Sequence, residues 1–293
     1  MGDPVAGYRP RVIDPVDRHV LRAFAIARTT GAPALACLAG VGATPEGTFG
    51  LTGAPDGWTA PVGLLEIAVL ADLALGAAAR AEAGSDRRMP TLGLTIDLAG
   101  GLPPAARLTV AADEPAIDDG FVSTAGTVRD GDRAVGHCAA TFALGSAGFA
   151  VLPWELRDAA SVDPLAEPDL DAAETGMLAA VRAATGSSWS DTVLDDAIRD
   201  GRLHASPLLA NRAGTVQGGV LFALAARAAA SAVDGPVRMR GGHLDFLSAG
   251  DVAHPLDTTS TLLGAGRRTS FARAEISQDG RLVAVGSFVQ HAD

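Results

Sequence analysis

Lysine is absent from this 293-residue chain. All 23 basic residues are arginine, against 34 acidic ones, for a net charge of −11. An acidic chain without basic runs argues against nucleic acid as a general partner. It leaves room for a small anionic ligand, because a few local arginines suffice to hold a phosphate. Cysteine is almost absent as well. Cys37 and Cys138 are too few for a disulfide framework and read as free, buried thiols. Aromatic residues make up 4 % of a chain that is 48 % hydrophobic, so the core must be built from Ala, Val and Leu. The longest apolar stretch, about residues 60–79, carries Glu66 and Asp72, which marks it as a core helix rather than a membrane span. The N-terminal MGDPVAGYRPRVIDP lacks the hydrophobic segment of a secretory signal, so the cytoplasm is the expected location. His19, His137, His204, His243, His254 and His291 show no i, i+4 or Cys-paired metal spacing. No phosphate-binding or dinucleotide-binding glycine fingerprint occurs, and Ser187, Ser188 and Ser206 lack a nucleophile-elbow context. Neither a metal nor an organic cofactor is expected.

What is present is one plan written twice. Residues 44–84 read as strand, loop and a long Ala/Leu-rich helix, and residues 91–145 as a succession of strands with turn signals between them. Residues 201–233 again give a short extended run, a loop with Asn211 and Gly214, and a long helix opening after Gln217-Gly218-Gly219. Residues 237–291 alternate as strands broken by Gly and Asp-Gly turns. Asp97 matches Asp245 at a separation of 148, and Gly131 matches Gly280 at 149. Leu70-Ala71-Asp72 matches Leu224-Ala225-Ala226 at 154. So steady an offset points to duplication. The expected organisation is a first repeat over 15–150, a linker over 151–176 that starts a helix near Asp171, and a second repeat over 177–293. Each repeat is then an α+β unit with one long helix packed on an antiparallel sheet. The segments 17–31 and 172–186 read as packing helices ahead of each unit.

The string Asn211-x-x-Gly214-x-x-Gln217-Gly218-Gly219, followed by a helix with Leu224-Ala225-Ala226, resembles the hot-dog thioesterases of the phenylacetate-pathway and hydroxybenzoyl-CoA type. The two-repeat plan is similar to the double hot-dog acyl-CoA thioesterases. The resemblance covers most of residues 35–145 and 190–290. It implies a tandem hot-dog fold and hydrolysis of an acyl-CoA thioester. In that family a carboxylate on the helix of one unit faces backbone N–H donors at the helix N-terminus of the other. The donors stabilise the oxyanion, each worth roughly 2.7–4 kcal/mol.

Carried over residue by residue, the resemblance gives Gly218 the N–H, Asn211 the orienting amide, and Gln217 the place where the family has His. The carboxylate position of the second repeat is Ala226, which cannot serve. The same position in the first repeat is Asp72. The donor loop of the first repeat is the degenerate one, with Gly57, Gly63 and Leu64 at the Asn, His and Gly positions. Each repeat has kept the half that the other lost. One composite site follows, with Asp72, Asn211, Gln217 and Gly218 as its catalytic residues. Gly219 is expected to adjoin the substrate. Arg240, Arg267 and Arg268, with Arg238, are expected to reach CoA phosphates. Glu66, six residues before Asp72, is the alternative carboxylate. The competing readings are a non-catalytic acyl-CoA or lipid binder, and a hot-dog hydratase or dehydratase. The latter is disfavoured because Asn211 is followed by Arg212 rather than Pro. The acyl group and any homo-oligomeric state are left open by the sequence.

Overall fold

The computed structural model describes residues 14–44, 48–51, 62–84, 86–99, 107–148, 162–184 and 188–292. The first repeat runs α1 (Pro15–Thr30), α2 (Ala34–Leu38), β1 (Val41–Ala43), β2 (Phe49–Leu51), α3 (Leu64–Ala83), β3 (Thr91–Leu98), β4 (Leu108–Ala112), β5 (Ala116–Asp118), β6 (Phe121–Asp130) and β7 (Arg133–Ala143). The rest of the chain runs α4 (Ala172–Ala183), which begins in the expected linker, then α5 (Trp189–Ala197), β8 (Ile198–Arg199), β9 (Arg202–Leu203), α6 (Gly218–Ser231), β10 (Val237–Phe246), β11 (Leu256–Ala265), β12 (Thr269–Gln278) and β13 (Arg281–Ala292). The helix expected near Asp171 is α4. Asp171 caps it, its carboxylate accepting from Glu174 N–H at 2.8 Å while the Glu174 carboxylate accepts from Asp171 N–H at 3.0 Å.

The strands form one antiparallel sheet in the order β1-β2-β4-β6-β7-β3-β10-β13-β12-β11-β9-β8, with β5 added beside β6. Counted inward from either edge, the two halves present corresponding elements in the same order. They meet where β3 pairs with β10, and there Thr95 lies opposite His243. The offset of 148 that matches Asp97 with Asp245 makes Thr95 and His243 equivalent positions, so a pseudo-twofold axis passes between them. The Asp-Gly signal at the β12–β13 turn is realised with φ of 50° at Asp279 and 76° at Gly280, as a tight two-residue hairpin of this hand requires.

Burial alternates along the strands, as on β12 and β6, so one face of the sheet is covered and the other is wet. On the covered face α3 packs on the first-repeat strands, α6 packs on the second-repeat strands, and the two helices pack on each other. Both helices are built from Ala and Leu, the strongest helix formers. Nearly every residue of α3 from Leu65 to Leu75 is buried, because sheet and partner helix enclose it on more than one side. Aromatics are used sparingly: Phe222 of α6 meets Phe288 of β13 edge to face at 5.5 Å between ring centres. This is the tandem hot-dog architecture expected from the repeat. No helix of the described residues is long and apolar enough to cross a membrane.

Candidate active site

Two glycines set the spacing of the central helices. A Cβ on Gly219 would lie 2.6 Å from the backbone N of Val69 and 2.8 Å from the carbonyl carbon of Ala68. No side chain fits there, so the N-terminus of α6 rests directly on the α3 backbone. One residue earlier, a Cβ on Gly218 would lie 3.0 Å from Asp72 Oδ2. The carboxylate of the first repeat thus abuts the first turn of the second repeat's helix. The N–H groups of a first helical turn have no intrahelical acceptor and carry the positive end of the helix dipole. Gly219 N–H hydrogen-bonds to Asp72. Gly219, expected beside the substrate, therefore serves the helix crossing and the carboxylate.

Asp72 is 9 % exposed. Its Oδ1 accepts a 3.0 Å hydrogen bond from Thr91 Oγ1 at the start of β3. Burial raises its pKa to about 6, against the smaller opposing pull of Thr91, Arg80 and Gly219 N–H. A carboxylate so placed titrates near neutrality, where a general base is most useful.

The donor loop is a braced frame. Asn211 Oδ1 accepts from the N–H groups of Ala213 at 2.9 Å and Thr215 at 3.2 Å, and its Nδ2 donates to Thr215 Oγ1 at 2.8 Å. Gly214 turns the loop at φ 74°. Val216 N–H binds Gly250 O at 2.9 Å, and Gln217 N–H binds Leu209 O at 3.0 Å. Asn211, expected to orient water or thioester, spends these bonds on the loop, as turn-forming Asn residues do. The frame presents Gln217, whose side chain is 1 % exposed. Neither its Oε1 nor its Nε2 has a partner among the described residues. A buried, unpaired primary amide costs about 1–3 kcal/mol, a cost that a bound ligand would remove.

These residues border one cleft of about 360 Å³. Asp72, Thr91 and Phe142 line it from the first repeat, and Asn211, Gln217 and Gly218 from the second. Arg240, Arg267 and Arg268 do not line it. Arg240 donates to Ala99 O at 3.3 Å across the β10–β3 seam, and Arg267 and Arg268 sit in the β11–β12 turn. The guanidinium groups at the cleft are Arg80, Arg88 and Arg212. Thr91 and these arginines were not legible as a set. The one available signal was that Arg80 follows Asp72 by eight residues, which puts both on one side of a helix.

The opposite half-site is built differently. Gly57 lies outside the described residues. Gly63 and Leu64 open α3, and Glu66 reaches back so that its Oε2 accepts from Gly63 N–H at 2.7 Å. The same carboxylate accepts from Trp189 Nε1 at 2.8 Å, Ser190 Oγ at 3.2 Å and Ser188 Oγ at 3.3 Å. Burial still pushes the Glu66 pKa up. Four donors leave it little capacity for a ligand, and α5 lies across this helix end. Ala226 is buried and offers only its backbone carbonyl, which accepts from Gln290 Nε2 at 3.4 Å. Among the described residues, no cluster of His, Cys, Asp and Glu could hold a metal ion.

Residues 207–291 match the sequence profile of the family described as acyl-CoA thioesterase N-terminal domain. The match covers less than a third of the chain; over that stretch the sequence is similar to acyl-CoA thioesterases, a class of thioester hydrolases. The fold is similar to that of the tesB protein of Mycobacterium avium subs. paratuberculosis, at TM-score 0.53 and 12 % identity over 86 % of this chain and 95 % of that one. It is also similar to a Lactobacillus plantarum protein designated an oleoyl thioesterase, at TM-score 0.51 and 10 % identity over 80 % and 90 % of the two chains. At such identities these likenesses bear on the fold alone. No curated protein sequence matches the chain.

Proposed function

We propose that the protein hydrolyses an acyl-CoA thioester at one composite site, using Asp72 of the first repeat and the helix N-terminus of the second. The observation that carries this reading is the desolvated Asp72 carboxylate set against Gly218, with the unpaired Gln217 amide in the same cleft. Asp72 takes a proton from water as the water oxygen attacks the thioester carbonyl carbon. Gly218 N–H stabilises the negative charge that develops on the carbonyl oxygen. The C–S bond then breaks, and the sulfur leaves as the thiolate of CoA. Gln217 offers an NH2 group that donates and a carbonyl oxygen that accepts, enough to hold both the attacking water and the carbonyl, but it cannot titrate. Asn211 acts by keeping the loop in shape. The two repeats are read as products of one duplication, each having retained one half of the site. The test is thiol release from a panel of acyl-CoAs, followed with a thiol-reactive dye. Wild type is expected to turn over, and Asp72→Asn to lose about 10²–10⁴-fold in kcat. Full activity in Asp72→Asn would overturn the assignment. Binding of acyl-CoA without turnover in wild type would select a non-catalytic binder instead.

A further inference from the structure

The cleft holds more positive charge than hydrolysis of a neutral acyl group needs. On α3, Asp72, Gly76 and Arg80 follow one another at intervals of four, so they form a single stripe facing the cleft. Gly76 has no side chain, and the nearest atom to a Cβ there would be Phe142 Cε1 at 3.7 Å. The stripe therefore reads carboxylate, gap, guanidinium, with about 12 Å of helix between its ends. Arg80 is half-buried, and no carboxylate lies within ion-pair distance of it among the described residues. Arg212 of the donor loop lines the same cleft and is close enough to Arg80 to be repelled by it. Burial lowers the pKa of both groups, that of Arg212 to about 10, and the Asp72 carboxylate opposes the shift at Arg80. Arg88 stands at the exposed rim. A half-buried guanidinium group that lines the cleft without a carboxylate at ion-pair distance among the described residues is an arrangement that an anion relieves.

We infer that the Arg80 corner of the cleft is an anion subsite, taking a carboxylate or phosphate carried by the thioester substrate. The inference rests on the proposed thioesterase reading and deepens it. An anion in this corner has two sources. One is a carboxylate at the far end of the acyl group, as in a dicarboxylic acid monothioester. The other is a phosphate of the CoA moiety. Arg80 sits two helical turns from Asp72, so it sets which substrates fit without touching the reacting carbon.

The experiment compares wild type and Arg80→Gln at pH 8, where Asp72 is ionised in both. The substrates are hexanoyl and adipoyl thioesters, each on CoA and on N-acetylcysteamine, which has no phosphate. If the anion is an acyl carboxylate, Arg80→Gln loses about tenfold to a hundredfold in kcat/KM on both adipoyl esters and keeps both hexanoyl esters. If it is a CoA phosphate, the variant raises KM for both CoA esters and leaves both N-acetylcysteamine esters unchanged. Equal effects on all four substrates, or none on any, would overturn the subsite. If wild type turns over no thioester, the thioesterase reading fails by itself. The subsite is then read from calorimetric binding of adipate and 3′-phosphoadenosine 5′-phosphate to the two proteins. Undiminished or absent binding of both ligands would overturn it.

Discussion

The two central helices begin in the same structural context and end in opposite chemistry. At the start of α6, Gly218 and Gly219 abut a buried carboxylate at the edge of a cleft, and among the described residues the buried Gln217 amide has no partner. At the start of α3, Gly63 and Leu64 meet a carboxylate from their own helix, Glu66, which is saturated by donors from α5. Both carboxylates are desolvated, and burial raises both pKa values. What separates them is satisfaction. Glu66 has four hydrogen-bond donors and joins two elements. Among the described residues Asp72 has one hydroxyl and one N–H, and it lines the cleft. Burial alone does not mark an active carboxylate; burial with unfilled hydrogen-bonding capacity beside a cleft does.

The largest effect is expected from Gly219→Ala. The added methyl would press on α3 backbone, which cannot rotate aside, and the loss should be ~3 kcal/mol of stability together with activity. Gly63→Ala would press on the Ser188 and Ser190 hydroxyls and on Ser188 Cβ at 2.9 Å; it disturbs the Glu66 anchor and should cost stability while leaving kcat unchanged. Urea denaturation and a kcat measurement on the pair check both; an equal loss of kcat would erase the contrast between the helix ends.

Glu66→Ala leaves buried donors on Trp189, Ser188 and Ser190 and should cost about 2–3 kcal/mol with kcat/KM retained. A selective loss of turnover in a folded Glu66→Ala protein would move chemistry to the wrong end.

Asp72→Asn should do the reverse. Its folded pKa of about 6 lies above the unfolded value, so the native state binds the extra proton between the two. The stability that Asp72 contributes is full below pH ~4 and is lost as pH rises through about 6. Replacing it with Asn should therefore stabilise the protein by ~2 kcal/mol at pH 8 and hardly at all at pH ~4. Activity of the wild type should climb through the same interval, because the base must be ionised. Denaturation at the two pH values, with a pH–rate profile, reads both.

The smallest effect is set for Gln217→Leu. Removing an unpaired buried amide should raise stability by about 1 kcal/mol while slowing turnover roughly tenfold. A melting curve and a kcat measurement decide it. A variant that is both less stable and fully active would mean the amide is structural.

The repeat was readable because turns and helix starts impose local chemistry. Asp279-Gly280 and Gly131 mark hairpins, and Gln217-Gly218-Gly219 marks a helix start, whatever the rest of the chain does. Asp72 was readable because a charge within Leu65–Leu75 has no local reason to be there. The anchoring of Glu66 by Trp189 was not readable, since those residues are 123 apart in the chain and meet only through tertiary packing. Thr91 needed the register of β3 against α3. Asn211 was assigned to the substrate because sequence shows an amide without showing what it binds. Arg240, Arg267 and Arg268 lie on a strand and a turn of the second repeat, but the cleft draws Arg80 and Arg88 from the first and Arg212 from the donor loop, a grouping that only tertiary packing sets.

The central claim is that each chain holds one complete site, shared between its repeats. Titration of the full chain with a non-hydrolysable thioether analogue of an acyl-CoA tests it most directly, in wild type and in Gly218→Val, whose side chain would press on Asp72 Oδ2. One equivalent per chain in wild type and none in the folded variant is the expected result. Two equivalents in wild type, or one surviving in Gly218→Val, would contradict the account.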